Sequence, residues 1–263
     1  MSIGDYRTRA QDKYYRTCAR WLFRRPLVIQ GKVPVVSFTF DDFPKSALRV
    51  GGSILGQMGL AGTYYASLGL MGLNEASGAM FTFGDLEALR EQGHELGCHT
   101  FGHCHSWETE STAFENSIRE NQRALGSLLP GASFRTFSYP ISVPRPQTKR
   151  MVAKYFACCR GGGQVFNAGS ADLNCLSAFF LEKVRGDADA VKRVIDQNQQ
   201  ARGWLIFATH DICRAPSPYG CTPEFFEEIV RYTLATGARI LPVVQAWQAL
   251  CSSQPDAAPL VGE

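Results

Sequence analysis

The stretch Ser37-Phe38-Thr39-Phe40-Asp41-Asp42-Phe43-Pro44 decides how the rest of this sequence is interpreted. Residues 33–40 predict a buried strand, because they are β-branched and aromatic and are bounded by prolines. Asp41 and Asp42 at its end repel each other unless a positive charge lies between them. A bound cation meets that need if one carboxylate ligates it and the other stays free to accept a proton. The alternative is an Asx-type turn that caps the helix expected from about Ser46.

Length and composition indicate an ordinary globular protein. The 263 residues, 45% hydrophobic and 19% charged, are enough for one large α/β domain. A net charge of +3 is too small to indicate a nucleic-acid partner. None of the nine cysteines is spaced Cys-x-x-Cys, so we expect reduced thiols rather than a disulfide framework. No membrane span or signal peptide is recognisable in the sequence, and we therefore expect a cytoplasmic location.

The two ends of the chain differ from its middle. Residues 1–32 are basic, and their apolar residues recur at helical spacing up to Pro26, which predicts an amphipathic helix. We expect its apolar stripe to pack on the protein itself, although such a helix can also make peripheral contact with an anionic membrane surface. The tail at residues 251–263 is rich in Ser, Pro and Ala, and we expect it to be disordered.

Residues 33–250 predict one domain in which strands and helices alternate. Repeated βα units with nearly continuous apolar strands are typical of a parallel sheet. Seven or eight such units predict a distorted, closed or nearly closed parallel (β/α) barrel. A doubly wound open sheet is the alternative, but no Gly-x-Gly-x-x-Gly turn supports it. The expected strands are 33–40, 61–66, 94–99, 134–138, 155–159, 179–184, 204–209 and 239–243.

A second informative stretch contains two histidines four residues apart, His99 and His103. On a first helical turn this spacing places both imidazoles on one face, as metal-binding pairs require. Both histidines follow the third strand and Asp42 follows the first, so a parallel barrel brings all three to the same rim. We rank His105 well below this pair, and we expect His94, at the other end of its strand, to be structural.

Two further strands end in polar residues on the same rim. Tyr139 follows the strand at 134–138, and His210 follows the strand at 204–209. A single histidine at a strand end is usually structural. Four strands that all deliver acids, histidines or a tyrosine to one rim indicate an active site.

These motifs, in this order, resemble the polysaccharide deacetylase family, which is the nodulation-protein-B homology domain or carbohydrate esterase family four. The matching motifs are Thr-Phe-Asp-Asp, Gly-His-Glu-Leu-Gly-Cys-His-Thr-Phe-Gly-His, Phe-Ser-Tyr-Pro and a strand ending in His. The resemblance spans about Pro34 to Pro242. It implies a distorted (β/α) barrel that uses a divalent metal, commonly zinc, with cobalt or nickel as alternatives. It also implies removal of N-acetyl groups from amino sugars or O-acetyl groups from sugars.

The resemblance also implies roles for individual residues at the metal. It makes Asp41 the general base and Asp42, His99 and His103 the metal ligands. It makes His210 the general acid that protonates the departing amine.

Two further implied roles concern Arg135, which would orient Asp41, and Tyr139, whose backbone N–H would hold the oxyanion. The sequence departs from the family here, because three residues separate Arg135 from Tyr139 where the family usually has Arg-x-Pro-Tyr. An Asp-Trp pair that orients the histidine in many members is also missing. Among rim aromatics that could stack on a sugar, Trp107 is the best candidate; the others are Phe43, Phe101, Trp204 and Tyr219.

Three hypotheses follow. The first is a metal-dependent hydrolase that removes N-acetyl groups from an amino-sugar oligosaccharide or polysaccharide precursor. The second is an amidase of a small or cyclic amide on the same fold. The third is a glycan-binding module with a degenerate site, suggested by the altered third motif and the missing Asp-Trp pair.

Overall fold

The computed structural model describes residues 17–141 and 144–252. The strands are β1 (Pro26–Ile29), β2 (Val35–Phe40), β3 (Thr63–Ala66), β4 (Asn74–Glu75), β5 (Gly78–Ala79), β6 (Glu95–Cys98), β7 (Thr136–Ser138), β8 (Cys158–Arg160), β9 (Gly169–Asp172), β10 (Phe179–Phe180), β11 (Trp204–Thr209) and β12 (Arg239–Ile240). The α-helices are α1 (Ser53–Gln57), α2 (Phe83–Glu91), α3 (Ser111–Leu128), α4 (Pro146–Val152), α5 (Ala188–Ala201), α6 (Pro223–Ala235) and α7 (Val243–Ser252). A π-helical segment, Ala47–Gly52, leads into α1, and 3-10 helices lie at Leu68–Leu70 and Leu181–Val184.

Eight parallel strands form the central sheet. Its order is β10-β11-β2-β3-β6-β7-β8, with β12 also paired to β2. The sheet curls, and a parallel bridge from Arg160 to Leu176 links β8 to the segment that leads into β10. The predicted fold class, a distorted parallel (β/α) barrel of seven or eight strands, is confirmed. All carboxyl ends of these strands lie at one rim.

Alternate residues of the central strands belong to two separate cores. Val36, Phe38 and Phe40 of β2 pack with residues from the surrounding helices. Trp204, on the opposite face of the neighbouring strand β11, belongs to a second core that includes residues of β1, β9 and α7. Both faces of β2 and β11 are therefore buried, which explains their nearly continuous apolar sequences.

The amino end of the barrel is tied together by Glu95. Its carboxylate accepts hydrogen bonds from the hydroxyls of Thr63 (2.8 Å) and Thr136 (2.5 Å) and from the backbone N–H of Val244 (2.9 Å). The last contact caps the start of α7, where a strand through Val243 was predicted. That prediction was wrong in its last residues, because the cap comes from β6, far away in sequence.

The N-terminal segment is anchored to the barrel. Residues 17–21 are helical, and β1 then pairs antiparallel with β9. The buried Lys149 ammonium donates to the carbonyls of Ala19 (2.7 Å) and Leu22 (2.9 Å) and pairs with Asp172 (2.5 Å). The rest of the predicted N-terminal helix, residues 1–16, and the tail beyond residue 252 lie outside the described residues.

Two further findings concern the cysteines and the helices. All nine cysteines are free thiols. In the part of the chain that the structure describes, no helix has the length and apolar character that crossing a membrane requires.

Candidate active site

The turn after β2 holds two successive residues in the left-handed backbone conformation, Asp42 (φ 61°) and Phe43 (φ 58°). This conformation costs on the order of 1–3 kcal/mol for each residue other than glycine. Packing holds the turn in place, because the Phe43 ring is fully buried and stacks on Phe81 at 4.7 Å between ring centroids. The turn separates the two neighbouring carboxylates, so that Asp41 and Asp42 meet different partners.

Asp42 meets the two histidines. Its Oδ1 lies 3.6 Å from Nε2 of His99 and 3.3 Å from Nε2 of His103. The histidine pair does not lie on a helical turn as predicted, but on a loop in which Thr100 and His103 have positive φ angles. The Thr100 hydroxyl accepts a hydrogen bond from the Cys104 N–H (2.8 Å) and stabilises that loop.

His99 is held in the form that binds a metal. Its Nδ1 lies 2.8 Å from the carbonyl oxygen of Ser138, which can only accept, so Nδ1 carries the proton and Nε2 presents its lone pair. Burial lowers the pKa of His99 to about 4, despite the opposing effect of nearby carboxylates, and keeps the imidazole neutral near pH 7.

The chemistry of these three side chains fits a divalent cation. One ligand atom from each of Asp42, His99 and His103 lies within 4.8 Å of the others. The Asp42 Oδ1 is buried and has no hydrogen-bond partner among residues 17–141 and 144–252. A buried carboxylate oxygen that faces two imidazole nitrogens without a proton donor is costly unless a cation neutralises it.

The other two histidines of this region have different partners. His105 lies 3.1 Å from the Glu108 carboxylate, outside the three-residue cluster. His94 is buried, and its Nδ1 accepts a hydrogen bond from the Gly62 N–H (3.0 Å).

Asp41 meets an arginine that was not among the site residues predicted from the sequence. The guanidinium of Arg160, at the end of β8, donates to Asp41 Oδ1 and, at 2.5 Å, to the hydroxyl of Ser138. Arg135, which was predicted to orient Asp41, is solvent-exposed just before β7. The physical reason is the position of each arginine along its strand relative to the rim that carries Asp41. Arg160 ends its strand there, whereas Arg135 precedes its strand at the opposite end.

Arg160 determines the charge state of Asp41. Burial alone would raise the pKa of this carboxyl group. The charge of Arg160 and its hydrogen bond to the carboxylate outweigh burial and lower the pKa to about 2. Asp41 is therefore an ionised carboxylate at neutral pH.

His210 is oriented by a backbone carbonyl. Its Nδ1 lies 3.2 Å from the Tyr219 oxygen, and its Nε2 lies 3.9 Å from Oδ2 of Asp42. Because a carbonyl only accepts, Nδ1 carries a proton and Nε2 is the atom that faces Asp42.

The loop that carries Tyr219 is held by Asp211. Its carboxylate accepts hydrogen bonds from the Ser217 N–H (2.8 Å) and the Ser217 hydroxyl (2.5 Å). Gly220 is required in this loop, since a Cβ there would lie 2.3 Å from the backbone carbonyl oxygen of Asp211. Asp211 thus supports the carbonyl that contacts His210, while Asp172 pairs with Lys149.

Tyr139 reaches the rim, but its backbone N–H is already used. It donates to the Arg160 carbonyl (3.0 Å) next to the β7–β8 ladder. The buried phenol donates to the Asn174 carbonyl (3.0 Å). The prediction that this N–H holds an oxyanion therefore does not agree with the described geometry, because β8 occupies the donor.

A cavity of about 650 Å³ opens above these residues. It is lined by Asp41, Asp42, His99, His103 and His210, together with Tyr139, Phe180, Glu182, Lys183 and Tyr219. Trp107, predicted to stack on substrate, is absent from the described lining and packs beneath the guanidinium of Arg145 (5.6 Å from the ring centroid). Tyr219 is 48% exposed and is the lining aromatic best placed to contact a sugar ring.

Glu182 lines the cavity and was not among the site residues predicted from the sequence. It lies in the 3-10 helix after β10, and its Oε2 is buried without a partner in the described part of the chain. Burial raises the pKa of Glu182 to about 7, although His210 opposes this shift. A single acid in a segment predicted as a strand gave no sequence signal, because only the tertiary structure brings it to the cavity.

Comparisons with known proteins agree with this geometry. The polysaccharide deacetylase family model matches residues 29–156. A family 4 acetyl xylan esterase from Clostridium thermocellum, in complex with cobalt, is 18% identical, with a TM-score of 0.59 over 85% of this chain and 94% of that one. A family 4 carbohydrate esterase from Streptomyces lividans, in complex with acetate, is 17% identical, with a TM-score of 0.55 over 79% and 91%.

A family 4 pseudoenzyme from Bacillus anthracis shares the fold as well. It is 10% identical, with a TM-score of 0.56 over 82% of this chain and 66% of that one. Comparison with curated protein sequences gives no match. At these identities the solved structures establish the fold. The family-model match over residues 29–156 and the shared fold together confirm the resemblance to the polysaccharide deacetylase family that the motifs predicted.

Proposed function

We propose that the protein is a metal-dependent hydrolase that removes N-acetyl groups from an amino-sugar oligosaccharide or polysaccharide precursor. The observation that carries the proposal is Asp42 Oδ1, buried without a hydrogen-bond partner in the described residues and facing Nε2 of His99 and His103. The family relationship supports a hydrolase of this class. Zinc is the cation we expect there, with cobalt or nickel as alternatives.

Asp42, His99 and His103 would hold the cation. A divalent metal in such a site supplies Lewis acidity, which lowers the pKa of water toward about 7 and polarises a carbonyl oxygen. This acidity suits Asp41, whose pKa of about 2 makes it a weak base toward ordinary water.

The residues of the chain then act in sequence. Asp41, held ionised by Arg160, accepts the proton of the attacking water as the water oxygen bonds to the acetyl carbonyl carbon. His210 presents Nε2 to the cavity and donates a proton to the sugar nitrogen as the carbon–nitrogen bond breaks. The products are acetic acid, which ionises to acetate in water, and the free amine. Asp41 then releases its proton to solvent and His210 takes one up from solvent before the next turnover.

Acetate release from N-acetylglucosamine oligomers tests the proposal. We expect metal-stripped protein to be inactive and activity to return with zinc or cobalt. We expect Asp41→Asn to lower kcat by about 10²–10⁴-fold, since it removes the base. Asp42→Ala should lose both activity and bound metal, as measured by elemental analysis. Asp189→Asn is the matched control on an exposed carboxylate, and it should behave like the unmodified protein.

Two results would overturn the proposal. One is unchanged acetate release after metal stripping and in Asp42→Ala, which would remove the metal from the mechanism. The other is saturable glycan binding with no turnover under any metal, which would favour the degenerate binding module. Acetylated xylan and a cyclic amide belong in the same panel. Turnover of either one alone would replace the N-acetyl assignment.

A further inference from the structure

A second cavity of about 470 Å³ adjoins the first. The two share Lys183 as a lining residue. The loop that follows Arg160 also joins them, because Arg160 contacts Asp41 and Gly162 and Gly163 line the second cavity. The two cavities are therefore neighbours, with Lys183 in the wall of both.

The second cavity is cationic. Arg20, Arg24 and Lys183 line it, and no carboxylate of the described chain lies within ion-pairing distance of any of them. Asp172 is the one acid in its described lining, and the buried Lys149 ammonium, 2.5 Å away, compensates its charge. Three positive charges without a protein counter-charge around one cavity suit an anionic group.

The arginines of this cavity stand on an anchored segment. Their neighbour Arg25 donates to the carbonyls of Phe156 (3.0 Å) and Ala157 (2.6 Å), and its backbone N–H donates to Asp172 (3.0 Å). These contacts fix the backbone beside Arg24. The neighbouring basic residues Arg25 and Lys149 thus have structural partners, whereas Arg20 and Arg24 face the cavity.

We infer that the second cavity binds the phosphate of a phosphate-linked glycan whose N-acetyl sugar lies in the first cavity. This inference rests on the proposed function and specifies its substrate class as a glycosyl phosphate ester. Arginine suits this ligand, because its planar fork donates two hydrogen bonds to phosphate oxygens. Lys183, between the cavities, neutralises the phosphate nearest the sugar.

The carrier beyond the phosphate is a lipid or a nucleotide. Trp21, Leu22 and Phe23 lie between the two arginines in sequence and are 71%, 46% and 41% exposed. Exposed aromatic and aliphatic side chains beside basic residues are typical of surfaces that meet a lipid–water interface. The substrates of the experiment distinguish the two carriers.

The experiment compares kcat/KM for three acetylated substrates with the full chain. They are a neutral N-acetylglucosamine tetramer, UDP-N-acetylglucosamine, and N-acetylglucosamine joined through phosphate to a short polyprenol in detergent. We expect at least one phosphate-linked substrate to be preferred over the neutral one by roughly ten- to hundredfold. Whichever of the two is preferred identifies the carrier.

The variant Arg20→Gln/Arg24→Gln should reduce that preference by about tenfold or more, mainly through KM. Arg119→Gln/Arg231→Gln removes the same charge from exposed helix positions and should leave the preference intact. Equal kcat/KM for neutral and phosphate-linked substrates would overturn the inference while leaving the proposed function standing. A preference for the phosphate-linked substrate that survives in Arg20→Gln/Arg24→Gln would also overturn the inference.

A binding measurement separates this inference from failure of the proposed function. If no substrate is turned over, calorimetry with N-acetylglucosamine 1-phosphate and the neutral methyl glycoside still reports on the second cavity. Tighter binding of the phosphate, lost in Arg20→Gln/Arg24→Gln but kept in the control, supports the phosphate site. Equal binding of both compounds, or loss in the control as well, overturns it.

Discussion

Asp41 and Glu95 are two carboxylates at opposite ends of one barrel, and their surroundings differ in kind. Asp41 lies at the carboxyl rim beside a guanidinium, and the pKa of its carboxyl group is lowered to about 2. Glu95 lies at the amino end, where burial raises its pKa although two threonine hydroxyls and backbone N–H groups oppose the shift. The carboxyl rim therefore keeps Asp41 ionised, whereas at the amino end Glu95 joins neighbouring strands.

The two ends of the barrel therefore have different roles, because the candidate catalytic residues lie at one end and a strand-joining carboxyl group lies at the other. At the carboxyl rim the backbone is strained at Asp42, Phe43, Thr100 and His103, and a carboxylate oxygen lacks a hydrogen-bond partner among the described residues. At the amino end, Glu95 joins β6 to β3, to β7 and to the start of α7 through three hydrogen bonds. Parallel barrels commonly carry function at the carboxyl rim and stability at the other.

Arg160→Met should give the largest effect on stability. It leaves the buried Asp41 carboxylate without its cation, and we expect the free energy of unfolding to fall by about 3–5 kcal/mol. Urea denaturation followed by circular dichroism measures it. Arg135→Met removes an exposed arginine and should change stability by about 0.5 kcal/mol or less.

A double variant makes this test independent of simple misfolding. Asp41→Asn/Arg160→Met removes both charges, and it should be more stable than Arg160→Met alone. If Arg135→Met costs as much as Arg160→Met, then the contrast between the two arginines is wrong.

Glu95→Ala should give the second largest effect, and on stability alone. It removes three hydrogen bonds and leaves the Val244 N–H without its acceptor, so we expect a loss of about 2–4 kcal/mol. Acetate release per folded molecule should remain close to that of the unmodified protein when both are assayed at a temperature well below their unfolding transitions. A fall in kcat comparable to that of Asp41→Asn would contradict the separation of the two ends.

Glu95→Gln should give the smallest effect, visible as a change in pH dependence. Because the pKa of Glu95 is raised in the folded state, its contribution to stability is complete below its ordinary pKa of 4.5 and is lost as the pH rises through the folded value. Glutamine does not titrate. The stability of the variant relative to the unmodified protein should therefore improve as the pH rises from 4 to 8, in urea titrations. A constant difference across that range would show that Glu95 does not titrate as inferred.

Sequence periodicity predicted most of the fold, because both barrel faces of the strands are apolar. The strand at Trp204–Thr209 was predicted with its observed bounds, and the helix at Pro223–Ala235 within one residue. The helix at Val243–Ser252 and the pairing of β1 with β9 were missed. Both depend on partners distant in sequence, which local patterns do not report.

The sequence by itself determined the fold class and the identity of the candidate metal ligands. Strand ends in a parallel barrel meet at one rim, so Asp42 and His99 come together there, and the loop that follows β6 brings His103 to them. Only the tertiary structure decided which arginine meets Asp41, which carbonyl orients His210, and that the Tyr139 N–H is occupied. Those choices depend on register between neighbouring strands and on the path of loops, and both are set by packing rather than by residue order.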